Sequence, residues 1–383
     1  MFDTIRNTAD LVDQVTRLAA GPPGLPADTG QHRRATVAAM MATGLADPVL
    51  APESGVPGAT RRFCAAVEAI ATHSVELAEA VQLQAMTANT VRHHAPPPLW
   101  EELGAGLRAG TTIAANCASE AGAGSDLGAI ELTAHREGAS YHLTGHKNWA
   151  AHAAIADELI VYARTKAAGL GGITAFLVPA DAPGVCISRP FEHLRELAVP
   201  VSEIAFADVV VPAHRVLGRP HRGARVANIL MTQGRIGISA CAIGLGGAAL
   251  TRATAFAGSR IRFGRPIIQH QGIGFPLADM ATALEAGRQL LGYACDAFDR
   301  APDSAVVPCA QAKLFTTDTT ARITAEAVQV LGASAYLPGE PVDRWMRQAK
   351  LLQILQGTNQ IQRMTVAASL ATEPDDGSGR AAS

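Results

Sequence analysis

Cys117-Ala118-Ser119-Glu120-Ala121-Gly122-Ala123-Gly124-Ser125-Asp126 is the stretch on which the reading of this chain turns. Between Glu120 and Asp126 no side chain is larger than that of serine. The backbone can therefore approach an anion closely and offer amide donors, and Ser125 adds a hydroxyl. A plain turn would use the same residues, so the surroundings decide. Downstream, Tyr141-His142-Leu143 follows a Glu137-Gly138 turn signal, and short apolar runs occupy residues 159–162 and 173–178. Ile204, Phe206, Val209 and Val211 continue the strand-like pattern, with Pro and Gly between runs. Residues 113–222 thus read as a small antiparallel β-domain.

On either side the spacing is helical. Phe63, Val67, Ile70, Val75, Leu77, Val81 and Leu83 recur at mostly helical steps within residues 60–91. Pro96-Pro97-Pro98 stops that run, because proline lacks an amide donor and clashes with the preceding turn. A Pro- and Gly-rich loop over residues 46–58 separates it from an earlier helix. Farther on, Leu277, Met280, Leu284, Leu291, Cys295 and Phe298 share one helix face. Gly244, Gly246 and Gly247 lower helix propensity, so they are expected to admit a close neighbour, a helix or a ligand. The expected class is α+β, mainly α. Its parts are an N-terminal helical domain (1–112), the middle β-domain (113–222), a C-terminal four-helix bundle (223–372) and a disordered polar tail (373–383).

Composition narrows the partners. Among 383 residues, 32 basic and 34 acidic side chains leave a net charge of −2, which offers no basic face for nucleic acid. Aromatics are only 4% of the chain, so the core must rely on small and aliphatic side chains. The six cysteines form no CxxC pair and the twelve histidines no HExxH, so neither a metal site nor a disulfide framework is expected. The opening Met-Phe-Asp-Thr lacks a secretory pattern, and no apolar run reaches the roughly 18 residues of a membrane span. A cytoplasmic location is the expectation.

Four more segments stand in order with the first. They are Gly145-His146-Lys147-Asn148-Trp149, then residues 203–212 (EIAFADVVVP), then residues 260–267 (RIRFGRPI) with Gln271, and finally residues 357–363 (GTNQIQR). Together the five resemble the acyl-CoA dehydrogenase motifs TEPGAGSD, GxKxW, ExxFxDVxVP, RxxFGxPI…Q and GTxQIQR, and they cover most of the chain. The resemblance implies that family's fold and FAD as cofactor. Ala118, Ser119, Gly124, Ser125, Trp149, Ala151, Thr358 and Gln360 would lie along the flavin, the tryptophan over its ring. Arg260, Phe263 and Gln271, with Gln329 and Gly332, would reach the FAD of a second subunit, implying a homodimer or homotetramer. The forked guanidinium of Arg260 suits a pyrophosphate.

Departures from the pattern concern the reacting centre. Family dehydrogenases remove a proton from an acyl thioester with a carboxylate just before the last GT, where this chain has Gln356. Others carry it on a bundle helix before an arginine, and here that pair is Gly234-Arg235. Ala151 replaces the hydroxyl of the family's WIT, and QxLGGxG becomes residues 329–335 (QVLGASA). Glu120 reads as structural. His93 and His94, at a helix end bordering the acyl pocket in the family, are candidate replacement bases, since histidine titrates near neutrality. Gln356 is a candidate for orienting substrate by hydrogen bonds. Three functions follow: an oxidoreductase on an acyl thioester of CoA or a carrier protein, a flavin oxygenase or oxidase, and a base-less subunit of a heteromer.

Overall fold

A computed structural model describes residues 2–20, 30–50, 58–166, 169–191 and 199–371. The expectation of a disordered tail lies outside the described residues. Helices α1 (Phe2–Ala20), α2 (Gly30–Met41), α3 (Asp47–Leu50), α4 (Ala59–Ala71), α5 (Val75–His94) and α6 (Pro97–Ala109) come first. The helical run expected over residues 60–91 is in fact two helices. Ser74 starts the second, its hydroxyl accepting the Leu77 amide at 3.2 Å as an N-cap. The proline run ends α5 and also opens α6, with proline in the first helical turn where a missing amide donor is harmless. In the loop expected at 46–58, residues 47–50 form α3, and 51–57 lie outside the described residues.

Eight strands follow: β1 (Ala114–Cys117), β2 (Thr133–Glu137), β3 (Ser140–Ala151), β4 (Glu158–Arg164), β5 (Ile173–Pro179), β6 (Val185–Ile187), β7 (Val201–Pro212) and β8 (Val216–Leu217). They form one sheet in the order β6-β7-β3-β2-β4-β5-β8, with β1 beside β4. Pairing is antiparallel except for β1 with β4 and one residue pair of β2 with β4. The apolar runs at 159–162 and 173–178 are the centres of β4 and β5, buried on both faces. Ile160, Tyr162, Ile173, Ala175 and Leu177 join the helical core, while Leu159, Val161, Ala163, Phe176 and Val178 join a second core. Successive side chains point to opposite faces, so each residue is assigned by parity.

Parity also explains a bulge in β7. Ile204 and Phe206 are buried in the second core, and so are Val209 and Val211, which have the opposite parity. Leu143 pairs with Val209 but Gly145 with Phe206, so β7 holds one extra residue, and Asp208 takes φ 53° there.

The chain returns to helices with α7 (Gly223–Ser259), α8 (Gln271–Arg300), α9 (Val306–Leu331), α10 (Val342–Leu352) and α11 (Asn359–Ala371). Between α7 and α8 lies a hairpin of β9 (Ile261–Arg262) and β10 (Arg265–Pro266). By length and composition α7 is apolar enough to cross a bilayer, but 72% of its apolar window is buried by α4, α5, α8 and α9. The expected apolar face of α8, Leu277 through Phe298, is buried. The glycines of α7 admit neighbouring helices. A Cβ on Gly244 would run into the carbonyl oxygen of Glu68 and sit 2.6 Å from the Ala71 methyl, both on α4.

Gly244→Ala is therefore expected to destabilise the fold by about 1–3 kcal/mol, because the obstructing atom is backbone. Gly258→Ala, whose Cβ would meet nothing within 4 Å, serves as control and should leave stability unchanged or raise it by up to about 1 kcal/mol. Equilibrium denaturation of both variants checks this.

Candidate active site

The Ser119 and Trp149 segments form one unit. Lys147 is fully buried, and its ammonium bonds Glu120 Oε1 at 2.7 Å and the Ala118 carbonyl at 3.3 Å. Glu120 also accepts the amides of Glu131 and Leu132 at 2.6 and 3.1 Å. Burial lowers the lysine pKa, and the Glu120 bond opposes that shift. Glu120 is thus structural, and removing either partner of such a pair costs about 3–5 kcal/mol. The Asn148 amide donates to Ser119 O at 2.8 Å, closing the unit.

Trp149 sits on a second bulge. Lys147 pairs with Ile204 but Ala150 with Ser202, so β3 holds the extra residue here. Trp149 takes φ 58°, a conformation that a bulky side chain rarely adopts. Its indole is left 58% exposed, with Phe191 5.2 Å away on one side. A large flat side chain held out in a strained backbone is a platform for a flat ligand. Gly122, Gly124, Ser125 and Asp126 are exposed beside it. Ala118 and Ala151 lean against the helical core, where the sheet meets the bundle.

Within the bundle, the two positions that lack a carboxylate face each other. A Cβ on Gly234 would lie 2.6 Å from Gln356 Oε1 and 2.9 Å from Met86 Sδ. Gln356 and Gly357 both have left-handed backbones, φ 53° and 85°, which turn the amide inward between α10 and α11. The buried Gln362 side chain donates to the Gly357 carbonyl at 2.8 Å. Lys313 Nζ reaches Gln353 O at 2.9 Å and Asn359 Oδ1 at 2.7 Å, so one side chain grips both ends of the turn. Gln356 Oε1 is buried with no hydrogen-bond partner among the described residues.

Burial drives the Lys313 pKa down to about 7, with Asp318 opposing the shift and Arg235 adding to it. Arg235 is itself buried, with Nε and one terminal nitrogen unpartnered among the described residues, and its electrostatic neighbours Cys309 and Lys313 lie on α9. It stands beside the turn as a fixed positive charge.

The structure sets His93 and His94 apart from the turn that carries Gln356. His93 and His94 lie seven and eight residues beyond Met86 on α5, about 10–12 Å along the helix from the side chain that meets Gln356. The backbone carbonyl of His94 accepts the Gly218 amide at 2.7 Å, and burial lowers the pKa of both imidazoles. The structure does not bring either to the Gln356 position. Arg260, Phe263, Gln271, Gln329 and Gly332 are all on the surface. Phe263 and Gly264 form the tip of the β9–β10 hairpin with φ 51° and 79°, and Phe263 is 95% exposed. Thr358 accepts the Ile361 amide at 3.3 Å at the start of α11, and Gln360 is exposed. Lys313, Asn359 and Gln362 were missed. The signal for Lys313 is a lone lysine on a helix face that is otherwise Ala, Thr and Cys.

Residues 115–209 match the middle domain of acyl-CoA dehydrogenases and residues 221–371 their C-terminal domain. Cyclohexane-1-carbonyl-CoA dehydrogenase of Geobacter metallireducens is 32% identical over 97% of this chain and 100% of its own. The chain belongs to the acyl-CoA dehydrogenase family. Butyryl-CoA dehydrogenase from Megasphaera elsdenii superposes with a TM-score of 0.85 at 29% identity, covering 95% of this chain and 98% of that one. PigA with FAD and proline gives a TM-score of 0.85 at 25% identity, covering 95% and 97%.

FAD is the cofactor of this acyl-CoA dehydrogenase-like flavoprotein. The residues present fit it. Trp149 is an exposed platform, the 121–126 segment is open and small, and a Cβ on Gly124 would come no closer than 4.0 Å to Ser119 Oγ. Trp149, Ser119 and Ser125 would hold the group from the β-domain side.

Trp149→Ala should lower FAD affinity at least about tenfold, since it removes both the stacking surface and the strained residue. It should not lower the melting temperature of the flavin-free protein. Flavin fluorescence titration and melting curves test the two halves. The lowered Lys313 pKa has a second consequence. Between about pH 7 and the ordinary 10.5 the folded chain binds fewer protons there than the unfolded chain, so this group makes stability rise with pH across that window. In Lys313→Met, denaturation midpoints should climb less steeply from pH 7 to pH 10 than in the parent.

Proposed function

We propose that this protein is an FAD-dependent oxidoreductase that acts on an acyl thioester, carried by CoA or by a carrier protein, with the Gln356 amide orienting the acyl group. The observation that carries this reading is the buried, unpartnered Gln356 Oε1 turned against Gly234 and Met86. It stands where the family pattern has its carboxylate, with the flavin platform retained at Trp149. Bound FAD supplies the two-electron acceptor.

An amide takes no proton at physiological pH, and Gly234 has no side chain to do so. Proton removal from the acyl carbon therefore falls to a weaker acceptor, water or a group on the substrate itself. A positioned general base is worth about 10²- to 10⁴-fold in rate, so turnover of simple saturated thioesters is slow. Arg235 keeps a buried positive charge near Lys313, whose side chain grips the turn, and that charge favours negative charge developing on a bound thioester. The exposed Phe263 hairpin suits burial against a second copy, completing a homodimer or homotetramer.

Anaerobic mixing of the purified protein with acyl-CoA and acyl carrier protein thioesters tests the reading, because oxidation bleaches the flavin band. Bleaching by at least one thioester is expected. A colourless protein that takes up no flavin, or a flavin that no thioester bleaches, would overturn it. Gln356→Glu should raise the bleaching rate with butyryl-CoA at least about tenfold.

A further inference from the structure

The seam between α5 and α7, which the Gln356 amide meets at Gly234 and Met86, is unusually polar. Along α5 the residues Gln82, Met86 and Asn89 share a face, and they meet Gly237, Gly234 and Gln233 of α7 in that order. Gln82 closes over Gly237, where a Cβ would strike its Oε1. Asn89 Nδ2 donates to Gln233 Oε1 at 2.8 Å. These three amides are 2–5% exposed, and each keeps an unpartnered polar atom among the described residues. They are Gln82 Nε2, Asn89 Oδ1 and Gln233 Nε2.

Such atoms need an explanation, because a buried polar group left unpaired costs about 1–3 kcal/mol. Gln84, on another face of α5, shows how this protein satisfies an amide that only builds the fold. Its nitrogen donates to Leu107 O and Thr112 O, and its oxygen accepts the Ala114 amide. The amides of the seam are not treated that way. The Asn89–Gln233 pair consumes one N–H and one oxygen, and it leaves one acceptor and one donor whichever way the two amides are turned. Arg235 does not share this seam, since it faces Cys309 and Lys313 on α9.

We infer that the acyl group of the substrate is short and carries a neutral hydrogen-bonding function, a hydroxyl or an amide-type nitrogen and oxygen, instead of a hydrocarbon chain. The inference rests on the acyl thioester reading above. The amides lie about one helical turn, ~5 Å, to either side of Met86. The polar function therefore falls a few bonds beyond the thioester carbon. A methylene chain there would strand an acceptor and two donors away from water. A site built for hydrogen bonds rejects the analogue that lacks them far more strongly than an apolar pocket rejects a missing methylene.

Isothermal titration of the FAD-loaded protein tests this, with each acyl group offered on CoA and on an acyl carrier protein. The pairs are matched in length: butyryl against 3-hydroxybutyryl, and hexanoyl against 3-acetamidopropionyl. At least one polar thioester should bind about tenfold or more tightly than its hydrocarbon partner. Gln82→Met and Asn89→Leu should bring that ratio to within about threefold of unity, while flavin content and melting temperature stay near the parent values. Asn89→Asp, which keeps an acceptor, should retain part of the preference. Equal or tighter binding of both hydrocarbon thioesters overturns the inference and leaves the acyl thioester reading standing. So does an unchanged ratio in both Gln82→Met and Asn89→Leu. If none of the four binds on either carrier and none bleaches the flavin, the acyl thioester reading itself has failed.

Discussion

The ends of the Gln356 and Met86 side chains fill the space beside Gly234, and much of the bundle is arranged around that contact. The turn carrying Gln356 is pinned at both ends by Lys313 and from behind by Gln362, and two consecutive left-handed residues aim its amide at α7. With the turn fixed, the bare position 234 leaves space for the Gln356 amide. A glycine in the middle of a buried helix loses helix propensity, and the compensation is that Gln356 and Met86 fill the space a Cβ would take. Positions 234 and 356 are thus in direct contact, and neither carries a charge.

The β-domain solves a comparable problem by changing strand parity. A strand that stays in phase would turn Trp149 toward its neighbours or force Val209 and Val211 away from the second core. One extra residue in β3 and one in β7 reset the alternation, each with a non-glycine residue at positive φ. At Asp208 the bulge keeps the core continuous. At Trp149 it holds an indole out toward the cofactor face, and the buried Lys147–Glu120 pair two residues before it keeps the strand from relaxing. Strain at one residue persists because neighbouring contacts over-determine the backbone.

How far the sequence reveals this depends on the element. The parity switch in β7 can be read directly from Ile204 and Phe206 against Val209 and Val211, and the apolar face of α8 from its spacing. The bulge at Trp149 cannot, since it depends on the register of β3 against β7. The break at residues 72–74 is visible only once Ser74 is seen as a cap instead of a surface serine. The acyl-CoA dehydrogenase motifs identify the family and bring Gly234 and Gln356 to notice, and the structure sets these two in contact. His93 and His94 have the right chemistry and lie some two turns too far along α5. The seam amides escaped notice for the opposite reason. With Glu79, Gln82, Gln84, Asn89 and several threonines, α5 has the composition of a surface helix, yet residues 78–91 are all buried. Hydrophobic periodicity assigns polar residues to solvent, and it fails on a helix enclosed on every side.

The charge balance around the turn depends on the amide at position 356. A glutamate at position 356 would place a negative charge near Arg235 and Lys313, and each would help to hold the others ionised. With an amide there, Asp318 is the opposing charge for Lys313, and burial prevails, bringing the amine close to neutrality at physiological pH. A neutral amine can still make both of its bonds, to Gln353 O and Asn359 Oδ1, so the grip on the turn survives the lost proton. Arginine has no such option, because its guanidinium stays charged at any pH the fold tolerates. The interior thus keeps one obligatory positive charge beside a neutral amide. On the acyl thioester reading proposed above, that charge favours negative charge developing on a bound substrate.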